Sequence, residues 1–259
     1  MKKQFGAITT VARYTALEAV RTRYGWLLLA AALGGLGLAA FSDQLAITES
    51  RQIQAALSSS ALRLAAVFLL ALFVITSTVR EFSDKTTELM FSLPLPKGGY
   101  YLGKLAGYAL VALATAMTLT LLMALFAAPA QALSWGLSLL CELLIVCAAA
   151  LACAYSFAQV PAALAVLAAF YLLSRSISAI QLMAQGPLVR DGSLSQQVIN
   201  RLVDLLAWLL PQLERFTRSD WLVYTQPAWD ELTALLAQTL IYLLLLSGVA
   251  LFDLYRKNF

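Results

Sequence analysis

Histidine is absent from the 259 residues of this chain, and charged residues make up only 12% of it. Without histidine the chain lacks the commonest general base and the commonest metal ligand. No catalytic residue and no metal site are therefore assigned, and the chain is expected not to be an enzyme. Cysteine is scarce as well. Cys141, Cys147 and Cys153 share one apolar stretch, and a spacing of six turns a helix by about 600°, onto different faces. They read as small packing residues, with a soft-metal relay as the sharper alternative, and no disulfide framework is implied. The formal net charge is only +4, and the charges are dispersed, so no nucleic-acid partner is expected.

What fills the chain instead is apolar. It is 61% hydrophobic, with a mean hydropathy of +0.79. A soluble core of this size could not bury that much apolar surface, so the lipid bilayer must be the solvent for most of it. The expected fold class is an all-α membrane protein, a single transmembrane domain over 1–259.

A span needs about 20 mostly apolar residues. Runs of that kind place six spans at 24–41, 60–78, 101–127, 135–155, 158–174 and 232–252. Pro161 suits the first turn of the fifth. Before the first span, Phe5, Ile8, Ala12, Leu17, Val20 and Tyr24 recur at roughly helical spacing among basic residues. This predicts an amphipathic elbow helix over 1–23, lying on the membrane surface; a plain solvated helix is the alternative. Met1-Lys2-Lys3 looks like the start of a signal peptide, but no apolar run begins before Tyr24 and no small-residue cleavage site follows, so the segment is expected to be retained.

Basic residues set the orientation. The first segment, the loop between spans 2 and 3, and the tail hold every lysine in the chain. An even number of spans puts all three on one side, which reads as the cytoplasm, with both termini there, in a bacterial inner membrane. Trp26, Tyr100, Tyr101 and Tyr155 at inner ends, and Trp135 at an outer end, read as an interfacial aromatic belt. The outer loop, 175–231, contains a further amphipathic helix. Val198, Ile199, Leu202, Val203, Leu206, Leu209 and Leu210 form its apolar face, and Gln197, Asn200, Arg201 and Asp204 its polar one. Pro211 marks its end, and Trp208, Trp221, Tyr224 and Trp229 suit an interface.

The loop at 80–97 is the most informative stretch. Ser83 or Asp84 can cap a short helix that stops at Pro94. Glu81, Asp84, Lys85 and Glu88 make one end charged; Leu89, Met90, Phe91 and Leu93 make the other apolar. A short amphipathic helix of this kind is a docking peg for a partner's groove.

In order and position this loop resembles the coupling-helix region of type-2 ABC exporter permeases. The family pattern is matched by Glu81, by Thr87-Glu88, by Leu93-Pro94, by Lys97, and by Gly103-Lys104 opening the third span. The Arg21-Thr22-Arg23 entry to span 1, the Leu210–Phe216 stretch before the last span, and the closing Tyr255-Arg256-Lys257 are also similar. The resemblance implies two permease chains, a second copy of this one or a paralogue, paired with two copies of an ABC ATP-binding subunit. ATP and Mg²⁺ would belong to that partner, and this chain would hold no cofactor. Glu81, Asp84, Thr87 and Glu88 would meet the ATP-binding subunit, joined by Leu89 and Phe91 from the apolar end that anchors the helix to the bundle. A membrane scaffold with the same fold, or an integral-membrane lipid enzyme, are the competing functions.

The run Gly98–Lys104 satisfies G-x-x-x-x-G-K, but Leu105 follows where a phosphate loop needs Ser or Thr for Mg²⁺, and no strand precedes it. Its glycines are expected to let the chain turn into span 3, with Lys104 at the lipid headgroups. Glu142 is the one acidic residue inside a span, about two turns in from the outer end of the fourth. A carboxylate there is costly unless paired, protonated or wet. It reads as a structural pair with Arg63 or Arg175, or else as a contact for cargo or protons. Gly34, Gly35 and Gly37, and Ala148 to Ala150 with Ala152, are small residues that permit close helix packing.

Overall fold

The structure is a computed structural model that describes residues 2–45, 50–84, 96–157, 159–184, 194–217, 220–223 and 229–256. The chain runs α1 (Lys2–Arg21), α2 (Tyr24–Leu45), α3 (Ser50–Ser83), α4 (Lys97–Met123), α5 (Pro129–Ser156), α6 (Val160–Ala184), α7 (Leu194–Leu209), a 3₁₀ turn (Leu213–Thr217), α8 (Asp220–Val223) and α9 (Trp229–Arg256). Six of these helices, α2, α3, α4, α5, α6 and α9, are long and apolar enough to cross a membrane. At 28 residues, α5 is about 42 Å long and exceeds a hydrocarbon core of about 30 Å. The fold is an all-α membrane protein of six spans.

The spans sit where apolar runs place them, but the helices are longer. α3 begins ten residues ahead of the apolar run, and in that extension Ser58 and Ser59 are buried inside the bundle rather than left at its rim. α5 starts at Pro129, which occupies the first turn, where its missing N–H costs nothing. Pro161 plays the same part in α6.

α5 is the central helix. It packs against α3, α4, α6 and α9, and it is buried almost continuously from Leu143 to Tyr155. Ala148, Ala149, Ala150 and Ala154 lie in that run. Their small side chains let four neighbours approach one helix. Cys141 and Cys147 are buried in the same packing, and Cys153 is half-buried; all three are free thiols. By contrast α2 and α9 keep most of their apolar surface outward, with Trp26, Leu33, Leu240 and Leu244 more than half exposed. In a bilayer that surface meets lipid.

α1 packs along α4 and does not lie alone on a surface. Glycine makes this possible. A Cβ on Gly103 would stand 2.8 Å from Val11 Cβ, and one on Gly107 would stand 2.9 Å from the Ala12 carbonyl oxygen. The run Gly98–Lys104 is therefore helix, the opening turns of α4, and Gly103 serves contact with α1 rather than a turn. Gly35 likewise receives Leu62, whereas Gly34 and Gly37 face open space.

Both ends of the described chain gather at one end of the bundle, called here the terminal face. Lys97 Nζ donates to the Leu254 carbonyl at 3.4 Å, and the Ser156 hydroxyl bonds the Asp253 carboxylate. At the opposite, far face, the 3₁₀ turn and α8 plug the bundle. Leu213, Phe216, Trp221 and Leu222 are all buried there. Trp221 is thus a plug residue and not an interfacial one, while Trp208 and Trp229 are exposed; Tyr224 lies outside the described residues. The aromatic belt is corrected in the same way. Trp26 faces outward, but Tyr100, Tyr101, Tyr155 and Trp135 are buried within the bundle, where their rings supply core contacts such as Phe82 on Tyr155.

Candidate functional site

Two polar centres lie inside an otherwise apolar bundle. The first is built on α5. Trp135, Ser138 and Glu142 are three, then four, residues apart and share a helix face. Glu142 stands at the midpoint of the helix, deeper than two turns, because α5 starts earlier than its apolar run. From α3, Arg63 reaches across. Its Nη1 donates to Glu142 Oε2 at 2.8 Å and to the Phe216 carbonyl at 2.9 Å. Its Nη2 donates to Ser138 Oγ at 2.9 Å. The guanidinium also lies 5.1 Å from the Trp135 ring centre, in range of a cation–π contact.

The other Glu142 oxygen accepts the Tyr171 hydroxyl at 2.9 Å, and Arg175 Nη1 donates to Tyr171 at 3.0 Å. Arg63, Glu142 and Arg175 are thus joined, Arg175 through Tyr171. Burial of an ion pair is repaid only when the remaining polar atoms also find partners. Here both carboxylate oxygens and both terminal guanidinium nitrogens do. The Phe216 carbonyl takes a second bond, from Ser138 at 2.7 Å, so the network fastens the far-face plug to three spans.

The second centre lies at the terminal face. Lys104, expected at the headgroups, is buried and paired with Glu81. Glu81 also accepts the Tyr100 hydroxyl at 2.7 Å. Lys104 Nζ sits 5.5 Å from the Tyr108 ring centre. A relay continues from there: Tyr108 donates to Ser77 at 3.1 Å, and Ser77 donates to Glu18 at 2.8 Å. Tyr101 donates to Ser247 at 2.8 Å. The end of α3 and the start of α4 are thus tied to each other, to α1 and to α9.

This alters the reading of the docking residues. Glu81 points into the bundle. Asp84 is exposed at the end of α3. Thr87, Glu88, Leu89 and Phe91 lie outside the described residues, as does the short helix expected to carry them. Ser83 belongs to α3, its hydroxyl returning to the Val79 carbonyl at 3.1 Å.

Sequence reasoning missed Ser138, Tyr171, Ser77, Tyr108 and Glu18. Two of them had a signal: Ser138 precedes Glu142 by four, and Tyr171 precedes Arg175 by four, the spacing of side chains on one helix face. The Phe216 carbonyl had none. Among the described residues, no cluster of three or more Cys, Asp or Glu is placed to hold a metal. A cleft of about 470 Å³ opens between α3 and α6, lined by Leu64, Phe68, Ala71, Leu164 and Leu167, with Tyr171 at its polar edge.

Compared with known proteins, the chain matches no protein-family model and no curated protein sequence.

Proposed function

We propose that this chain is the membrane-spanning subunit of an ATP-driven ABC transporter, acting as an exporter, and that the segment between α3 and α4 couples it to a separate ATP-binding subunit. The observation that supports this reading is the Glu81–Lys104 pair with Tyr100. It closes the base of the segment that resembles a coupling helix. A displacement of that segment would be passed to α3 and α4 as one body, and through Ser77 and Glu18 to α1. Packed helices switch between discrete arrangements rather than bending continuously, so such a base is what a coupling device requires.

On this reading two ATP-binding subunits, carrying ATP and Mg²⁺, meet the terminal face from the cytoplasm. A second permease chain, a copy or a paralogue, completes the transporter in a bacterial inner membrane. Asp84 and Glu88 are the acids left to meet the partner, since Glu81 is engaged inside.

The test is purification in mild detergent from native membranes, with mass spectrometry of the proteins that accompany the chain. A stoichiometric ATP-binding subunit is expected, and it should be lost in Asp84→Lys/Glu88→Lys while the permease keeps its melting temperature. A chain that repeatedly purifies with no ATPase removes the coupling reading.

A further inference from the structure

The far face carries a groove that neither polar centre uses. It is a shallow, open groove of about 490 Å³, lined from four elements: Gln181 of α6, Asp204 and Trp208 of α7, Arg215 of the 3₁₀ turn, and Gln238 and Tyr242 of α9. Two opposite charges share this groove without meeting. Asp204 accepts the Gln181 amide at 3.3 Å, and Arg215 is exposed; neither enters an ion pair among the described residues.

The position is that of a membrane surface. Asp204 and Arg215 sit on elements outside the spans. Gln238 lies about 13 Å along α9 from its start at Trp229, in a helix about 42 Å long that must cross about 30 Å of hydrocarbon. The groove thus descends from a charged rim to the edge of the acyl region. Below it, α9 continues as an exposed apolar column of Leu240, Ile241, Leu244 and Leu245. Beside it, α7 turns Val198, Leu202, Leu205 and Leu209 outward, as an in-plane helix does toward acyl chains.

We propose that this groove binds a zwitterionic aminophospholipid of the far leaflet. Its phosphate pairs with Arg215, its primary ammonium with Asp204, and its acyl chains follow the α9 column. The choice of headgroup follows from charge and donors. A purely anionic headgroup would satisfy Arg215 and meet repulsion from Asp204. A quaternary ammonium has no N–H to give the carboxylate, whereas a primary ammonium has three. The inference holds whether or not an ATPase docks on the other face.

The full chain is reconstituted in nanodiscs of equal phosphatidylethanolamine, phosphatidylglycerol and phosphatidylcholine, extracted, and its retained lipids are counted by native mass spectrometry. Phosphatidylethanolamine should be retained about tenfold over either competitor, the effect of one charge-assisted contact. Asp204→Lys should shift the preference to phosphatidylglycerol, and Arg215→Gln should weaken retention of both. Asp204 and Arg215 are exposed, so melting temperatures should hold; should Asp204→Lys melt early, Asp204→Asn must still abolish the preference. Equal retention of the three lipids, or a preference unchanged in the Asp204 variants, overturns the proposal. Displacement of the lipid by inorganic phosphate or glycerophosphoethanolamine at low concentration overturns its lipid source and assigns the groove to a soluble phosphate ligand.

Discussion

Arg63 and Glu142, 79 residues apart in the chain, meet at 2.8 Å with their side chains 2% and 0% exposed. Each is the other's counter-charge in a place that water does not reach. The loss of one partner leaves a bare buried charge, which costs about 3–5 kcal/mol, whereas replacement of both by apolar groups of similar size is often neutral. Arg63→Met and Glu142→Leu should each lower stability by that amount in reversible detergent denaturation. The double variant should recover most of the loss. Glu142→Gln, which keeps the shape and removes the charge, should destabilise while the folded fraction still functions; a well-folded Glu142→Gln protein without transport would instead make the carboxylate part of the cargo path.

That Glu142 needs a basic partner, Arg63 or Arg175, was legible because charges inside an apolar run demand partners; which of the two it takes was not, and it is Arg63. The other members of the network were not legible. A backbone carbonyl such as that of Phe216 leaves no trace in sequence, and the contact spans 153 residues. The spans were legible as apolar runs, but the start of the second was clipped where Ser58 and Ser59 of α3 turn inward. Lys104 misled for the same reason. A lysine in the first turns of a span ordinarily reaches for the headgroups; here Glu81, 23 residues earlier, holds it inside.

Gly107 sets how closely α1 approaches α4. A Cβ there would stand 2.6 Å from Thr15 Cβ and 2.9 Å from the Ala12 carbonyl oxygen, and the carbonyl cannot rotate away. Gly107→Val should push α1 off α4 and cost about 1–3 kcal/mol, the range of overpacking. Gly34→Val, where nothing lies within 4 Å, should leave α1 in place. Limited proteolysis of α1 reads the difference, faster release in Gly107→Val alone being the expected result.

Glu81 and Lys104 act as one unit at the base of the α3–α4 segment, with side chains 24% and 4% exposed. Residues in one ion-paired network couple by about 0.5–3 kcal/mol in double-mutant cycles. The cycle of Glu81→Gln with Lys104→Met should show a coupling in that range by thermal denaturation. Asp84→Asn with Lys104→Met should show none, since Asp84 is exposed at the helix end. Equal coupling of both acids to Lys104 would mean that the base is not closed by Glu81.

Phe216 joins the far-face plug to the bundle by two independent means. Its ring is fully buried, and its carbonyl accepts from both Arg63 and Ser138. Phe216→Ala keeps the carbonyl and removes the ring, so the loss is that of a buried aromatic, about 3–5 kcal/mol. Ser138→Ala keeps the ring and removes two hydrogen bonds, the one given to the Phe216 carbonyl, which Arg63 still satisfies, and the one accepted from Arg63 Nη2, so the loss should be about 2–3 kcal/mol, that of a hydrogen bond to a charged group with a neutral one beside it. The two measurements separate packing from polar anchoring. If the plug is held mainly by its ring, labelling of a cysteine introduced at buried Leu213 should rise sharply in Phe216→Ala and little in Ser138→Ala. Equal exposure in both variants would place the hold in the Arg63–Ser138 network, and would make that buried charge pair, rather than apolar packing, the fastening of the far face.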